Sequence, residues 1–258
     1  MKSLLLKLIG LAFFSPLALA QQADMSMIQS LAGGGGISSK PLLLMIGLVA
    51  VSLLPFVGMM VTSFVKIAVV LSITRQAIGM QQAPPSTVIT GLAILLTVYV
   101  MQPVGLQVYK NAEKYMNYQN GDFFEKANID VLLKAAAASE EPIKHFLKSQ
   151  ASDKNLQMFH RIAKKIRKEE DRAALSQNDY IILVPAFVIT ELTKAFQIGF
   201  MIFLPFMVID MAVANILMAL GMQMLAPTMI SLPFKLLLFV MVDGWHLITK
   251  GLVLGYQL

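Results

Sequence analysis

The chain has 258 residues, 57% apolar and 14% charged, against roughly 45–50% and about 25% in ordinary soluble domains. The excess lies in long runs on either side of a polar middle, a pattern that excludes a plain water-soluble domain and points to lipid or a tightly packed assembly. The net charge of +6 contains no stripe of Lys and Arg interleaved with aromatics, which argues against a nucleic-acid partner. Cysteine is absent, so the chain can enter an oxidising compartment without disulfide errors.

Residues 1–20 read as a secretory signal peptide. Lys2 and Lys7 supply the positive start, residues 8–14 the short apolar stretch, and Ala18-Leu19-Ala20 the small-x-small cleavage site, with cleavage expected before Gln21. Residues 21–40 are polar and contain Gly33-Gly34-Gly35-Gly36. No Gly-Lys-Ser/Thr follows, so a phosphate loop is excluded and a flexible linker is expected.

Two apolar segments follow, residues 42–73 and 88–108, joined by a polar turn at 75–87 in which Pro84-Pro85 stops any helix. They form the first helical hairpin, assigned to residues 41–109. Most of the charged residues fall between 110 and 179. There apolar side chains recur at helical spacing: Leu132, Leu133, Ala136, then Ile143, Phe146, Leu147, then Leu156, Phe159, Ile162, Ile166. A small polar helical insert is expected. A second hairpin region, 180–258, opens with an apolar run to Leu225 that is long enough for two helices or one long bent one. Pro227 is expected to end that run, and a last apolar stretch covers 229–254. The fold class is therefore all-α and membrane-associated, with two long helical hairpins flanking a small helical insert. With the leader cleaved, the mature start lies outside the cytoplasm, the 75–87 turn inside and the insert outside. Lys66 and Arg75 flank the inner turn, in keeping with the positive-inside tendency.

Lys66, Glu191, Lys194, Asp210, Lys235 and Asp243 interrupt the apolar runs. An ionised group at the centre of a bilayer costs from about 2.5 kcal/mol upward, so each is expected to face an interior, a partner or water. Glu191 and Lys194 are three apart on one helix face and can pair. Lys235 and Asp243 lie about two turns apart and need partners elsewhere. Structural pairing between helices is favoured over a proton relay, which would use a chain of Asp, Glu and His; subunit interfaces fit these charges best. Catalysis has little to stand on. His145, His160 and His246 are isolated, and Ser63 and Ser231 have no adjacent base, so no catalytic residue, metal site or cofactor is expected.

Several ordered motifs make the chain resemble the FliP/SctR family, the pore subunit of the type III secretion export gate in flagella and injectisomes. They are Thr62-Ser63-Phe64-Val65-Lys66, Arg75-Gln76-Ala77-Ile78-Gly79, Leu183-Val184-Pro185-Ala186-Phe187 and Glu191-Leu192-Thr193-Lys194-Ala195-Phe196. Leu204-Pro205-Phe206 through Asp210, Leu217 through Met222, Ser231-Leu232-Pro233-Phe234-Lys235 and Asp243-Gly244-Trp245 continue the match. The resemblance implies a pentamer wound with FliQ/SctS-like and FliR/SctT-like subunits into a helical funnel. Unfolded exported proteins would cross the bacterial inner membrane through it, with the assembled gate largely on the periplasmic side. It also implies a methionine constriction after the Leu-Gly pair, here Met222 and Met224. Gln223 departs from the run of methionines found in many relatives and leaves open which side chains seal the pore; it is expected to face a neighbouring helix. Lys66 and Lys250-Gly251-Leu252-Val253-Leu254-Gly255-Tyr256 look like injectisome members, the leader like flagellar ones, and the lean is to an injectisome. An ion- or proton-coupled transporter is the alternative; it would use helices broken at Pro103, Pro185 and Pro205.

Overall fold

The computed structural model describes residues 40–80, 83–114, 137–138, 140–172, 175–222 and 224–256. The signal peptide, the linker up to residue 39, the Leu132–Ala136 repeat and Gln223 lie outside the described residues. The chain divides into Met1–Pro55 and Phe56–Leu258, and the charged and methionine-bearing residues considered below belong to the second unit.

The regular elements are helices, with no strand among the described residues: α1 (Lys40–Met60), α2 (Phe64–Ile78), α3 (Ser86–Glu113), α4 (Glu140–Gln150), α5 (Asp153–Ile166), α6 (Glu169–Arg172), α7 (Tyr180–Ala219), α8 (Pro227–Met241) and α9 (Gly244–Leu254). The first turn is tighter than its polar composition suggests. Helix α2 runs on through Arg75 to Ile78 and caps on Gly79, while Pro85 is the N-cap of α3. Arg75 belongs to the last helical turn, where a cation suits the helix dipole, and its guanidinium donates to the Pro84 carbonyl across the turn at 3.2 Å.

Helix α2 forms the centre of the second unit. It packs against α7, α3 and α8, and Ile67, Val70, Leu71, Ala77 and Ile78 are buried completely. Gly199 of α7 lies directly against Ile73 of α2. A Cβ placed there would stand 2.6 Å from Ile73 Cδ1, so only glycine lets the two helices approach this far.

The insert folds onto the start of α7. Ser152 caps α5 through the Asn155 amide at 3.3 Å. Thr190 of α7 accepts from the Ser152 amide at 3.1 Å and from Asn155 Nδ2 at 2.8 Å, and passes its own hydrogen to the Ala186 carbonyl at 2.7 Å. Phe146 of α4 meets Phe187 of α7 at 5.6 Å between ring centroids.

The apolar run from Tyr180 is one helix of 40 residues. It continues through Pro185 and Pro205, as α3 does through Pro103, so the breaks a transporter would use are not made there. In an apolar setting, neighbouring helices and local adjustment tolerate the missing N–H of an internal proline. Pro227 does not end this run either. Helix α7 has already stopped at Ala219, and Pro227 opens α8 at its first position, where the ring's fixed φ suits a helix start and no N–H is needed. The last apolar stretch is two helices, α8 and α9, meeting at a bend of 59°.

Helices α3 and α7 are each long and apolar enough to cross a membrane, and α8 with α9 would make a third span if the bent pair counts as one. Only 11% of the apolar window of α7 is covered by the chain itself, so lipid or other helices must cover the rest.

Candidate functional site: two charge networks and a methionine turn

The first network is built around Glu191, which is 0% exposed midway along the insert-covered part of α7. Burial leaves its carboxylate dependent on donors from the protein. Lys66 of α2, itself 3% exposed, places Nζ 3.3 Å from Oε2. Lys194, one turn on from Glu191, reaches Oε1 at 3.3 Å and donates to the Gln150 carbonyl at 2.9 Å. The expected pairing of Glu191 and Lys194 is thus present, but Lys66 is the deeper partner, and it comes from a helix more than a hundred residues away in sequence.

Tyr256 completes this network. Its hydroxyl donates to Glu191 Oε2 and lies 3.3 Å from the Ser63 carbonyl, while its ring sits under Lys66 Nζ with the cation 3.4 Å from the centroid. Burial, with the adjoining Glu191 carboxylate, pushes the Tyr256 phenol far above its ordinary range, so it stays protonated as a donor. One aromatic side chain therefore faces the anion with its polar tip and the cation with its π-face. Nothing in the spacing of the embedded charges marks Tyr256. The signal available is its place in the family-like ending at residues 250–256, which does not show what the phenol meets.

The second network joins α7 to α8. Lys235, 6% exposed, binds Asp210 Oδ2 at 2.6 Å, and Ser231, fully buried one turn earlier on α8, donates to Asp210 Oδ1 at 2.6 Å. Ser231 is thus a carboxylate partner. Asp210 and Lys235 meet within one chain, as do Lys66, Glu191 and Lys194. Asp243 joins neither network. It is exposed at the α8–α9 bend in the left-handed region, φ 50, and its side chain has no partner among the described residues.

The methionine turn follows from the end of α7. Gly221 adopts φ 72. The Met222 amide donates back to the Leu217 carbonyl at 2.9 Å and the Gly221 amide to Met218 at 3.1 Å, the paired bonds of a Schellman cap. A side chain at Gly221 would strain the left-handed residue this cap requires, which is why a glycine follows Leu220. The cap throws the chain off the helix axis. Met222 emerges 46% exposed, and Met224 100% exposed, a side chain that no packing within the chain accounts for.

The chain matches the FliP family over residues 47–252. The Yop proteins translocation protein R of Yersinia pestis is 43% identical over 213 residues, covering 83% of this chain and 95% of that protein. The hypersensitivity response secretion protein HrcR of Ralstonia nicotianae is 42% identical over 209 residues, 81% of this chain and 94% of that protein. The flagellar biosynthetic protein FliP of Bacillus subtilis is 42% identical over 218 residues, 84% of this chain and 93% of that protein. The match takes in α2, α3, the insert, α7 and α8 together with nearly all of α9, so the chain belongs to the FliP family.

Proposed function

We propose that the chain is a pore-forming subunit of a type III secretion export gate in the bacterial inner membrane, a non-enzymatic conduit for unfolded proteins. Several copies, five by the family resemblance, would assemble with FliQ/SctS-like and FliR/SctT-like subunits, the gate lying largely on the periplasmic side. The relatives named above carry secretion, translocation and flagellar names at nearly equal identity, so they do not separate injectisome from flagellum.

The observation that carries this reading is the complete exposure of Met224 at the end of the longest candidate span. Arranged around an axis, such turns would form a ring of unbranched, flexible thioethers. A ring of this kind dewets and blocks ions at rest, yet yields to side chains of any shape. Gln223 would face a neighbouring helix, since a polar side chain in the lumen would help water bridge the gap. The embedded pairs would hold each copy rigid enough to keep its turn on the ring, and Asp243 would face a neighbour.

Site-specific cross-linking tests the conduit. A photoreactive residue at Met224 should capture a secretion substrate stalled during export, and one at exposed Leu247 should not. Capture at both positions, or at neither, would contradict a lumen at Met224.

A further inference from the structure

Helix α7 is 40 residues long and rises about 60 Å, against about 30 Å for the hydrocarbon core of a bilayer, so a membrane takes in only part of it. The insert covers the first part. The Tyr180 hydroxyl donates to the Glu140 carbonyl at 3.4 Å, Phe187 meets Phe146, and the Lys194 ammonium donates to the Gln150 carbonyl at 2.9 Å. Helix α4 therefore runs alongside α7 from Tyr180 to Lys194. Beyond Lys194, residues 195–219 rise about 37 Å, enough to cross the core. The α4–α5 corner, held to Thr190 through Ser152 and Asn155, thus stands at the level of the membrane surface.

Helix α5 leaves that corner with two apolar rows. Leu156, Phe159 and Ala163 pack into the core of the chain. Met158, Ile162 and Ile166, each four residues from the next, form a second row that turns away from it: Ile162 is 42% exposed and Ile166 79%. Lys154, Arg161 and Lys165 lie three or four residues from members of this second row and so border it on the helix surface. With Lys164, Arg167 and Lys168 they make a basic stretch from 154 to 168 that contains no Asp or Glu. Among the described residues none of these cations is in an ion pair, and all but Arg167 are exposed.

We propose that α5 lies on the membrane surface, with the Met158–Ile162–Ile166 row among the headgroups and the bordering cations on the phosphates of anionic phospholipids. Clustered Lys and Arg are drawn to the surface charge of an acidic bilayer, and an apolar row beside them enters the boundary between headgroups and acyl chains. An acidic soluble protein could also meet the cations, but the level of the α4–α5 corner along α7 favours lipid. The contact would fix how far α7 can slide through the bilayer before other subunits join. The inference concerns the single chain seated in the membrane by α7 and rests neither on assembly nor on passage of substrate.

The chain has no cysteine, so one introduced cysteine carries a fluorophore alone. The full chain is reconstituted in vesicles of phosphatidylcholine, either alone or mixed with phosphatidylglycerol, and the label is quenched by nitroxide-bearing lipids. A label at Ile166→Cys should be quenched about threefold more in the anionic vesicles than in the neutral ones. Salt at about 1 M, where the Debye length is about 3 Å, should remove the difference. Arg161→Gln with Lys165→Gln, both at exposed positions, should return this label to water. A label at Gln157→Cys, exposed on the opposite side of α5, should stay in water throughout. One at Met201→Cys, 63% exposed on α7, should be quenched in both kinds of vesicle. A label at Ile166→Cys that stays in water in both, or is quenched equally in both, overturns the proposal. Shielding that appears only after other subunits are added would assign this face to a protein partner and overturn it too. Water at Met201→Cys would place α7 outside the bilayer, overturning the surface contact and leaving the conduit reading standing.

Discussion

The Tyr256 hydroxyl donates to Glu191, 65 residues earlier, while the same ring carries Lys66 on its face. Three helical regions that are distant in sequence, the starts of α2 and α7 and the exit of α9, thus share one buried cation, one anion and one phenol. Because the charges are desolvated, the network responds far more to losing one member than to losing a matched pair.

Neutralising Glu191 alone, Glu191→Gln, leaves Lys66 buried beside a neutral amide and should destabilise the chain by about 3–5 kcal/mol. Combining it with Lys66→Met should recover most of that loss, because no buried charge then remains. Lys194 is 39% exposed, so Lys194→Met should cost under about 1 kcal/mol. Urea unfolding of the detergent-purified protein measures all three; equal effects of the single and double changes would show that Lys66 and Glu191 are solvated.

Tyr256→Phe keeps the ring under Lys66 and removes only the hydroxyl, for an expected loss of about 1–3 kcal/mol. Tyr256→Leu removes the ring face as well and should cost more. The phenol titrates near 10.0 when unfolded and higher when folded. Its contribution is therefore complete below about pH 10 and falls as pH rises above that value. Stability of the wild type should drop more steeply above about pH 10 than that of Tyr256→Phe, as followed by thermal melts across alkaline pH.

At the α2–α7 crossing, Gly199→Ala brings a methyl group against three atoms of Ile73, Cδ1 at 2.6 Å, Cγ2 at 2.8 Å and Cβ at 3.2 Å. Overpacking of this kind costs typically about 1–3 kcal/mol. Ile73→Ala in the same chain should remove most of the clash, so the pair should be strongly non-additive in a double-mutant cycle. Additive effects would mean that the helices separate freely at this point.

Gly221→Ala forces a side chain onto φ 72 and should cost roughly 1–2 kcal/mol through the cap of α7. Its larger effect is expected on the turn itself, because Met222 and Met224 depend on the cap for their direction. Export should fall more than the stability loss explains. Secretion measured alongside thermal stability distinguishes the two.

Much of this architecture is legible in the sequence, because long apolar runs and the helical spacing of the insert are local signals. Glu191 and Lys194 are legible for the same reason: three residues apart on one helix, they must share a face. The pairing of Lys66 with Glu191, and of Lys235 with Asp210, needs helix packing that no local spacing encodes. Pro227 misleads because one residue type marks both ends of helices; the break that stops α7 is Gly221, through its left-handed backbone. Tyr256 stays hidden because a tyrosine in an apolar tail reads as one more aromatic until Glu191 is brought against its hydroxyl.

The most direct test of the methionine turn as a gate is conductance of the intact membrane complex carrying Met222→Ala with Met224→Ala. Shortening both side chains should open the resting constriction, so that ion leak rises well above wild type while secretion continues at a reduced level. Gln223→Met should leave the resting leak unchanged. An unaltered leak in the double alanine variant, or a marked tightening with Gln223→Met, would contradict a seal made by Met222 and Met224.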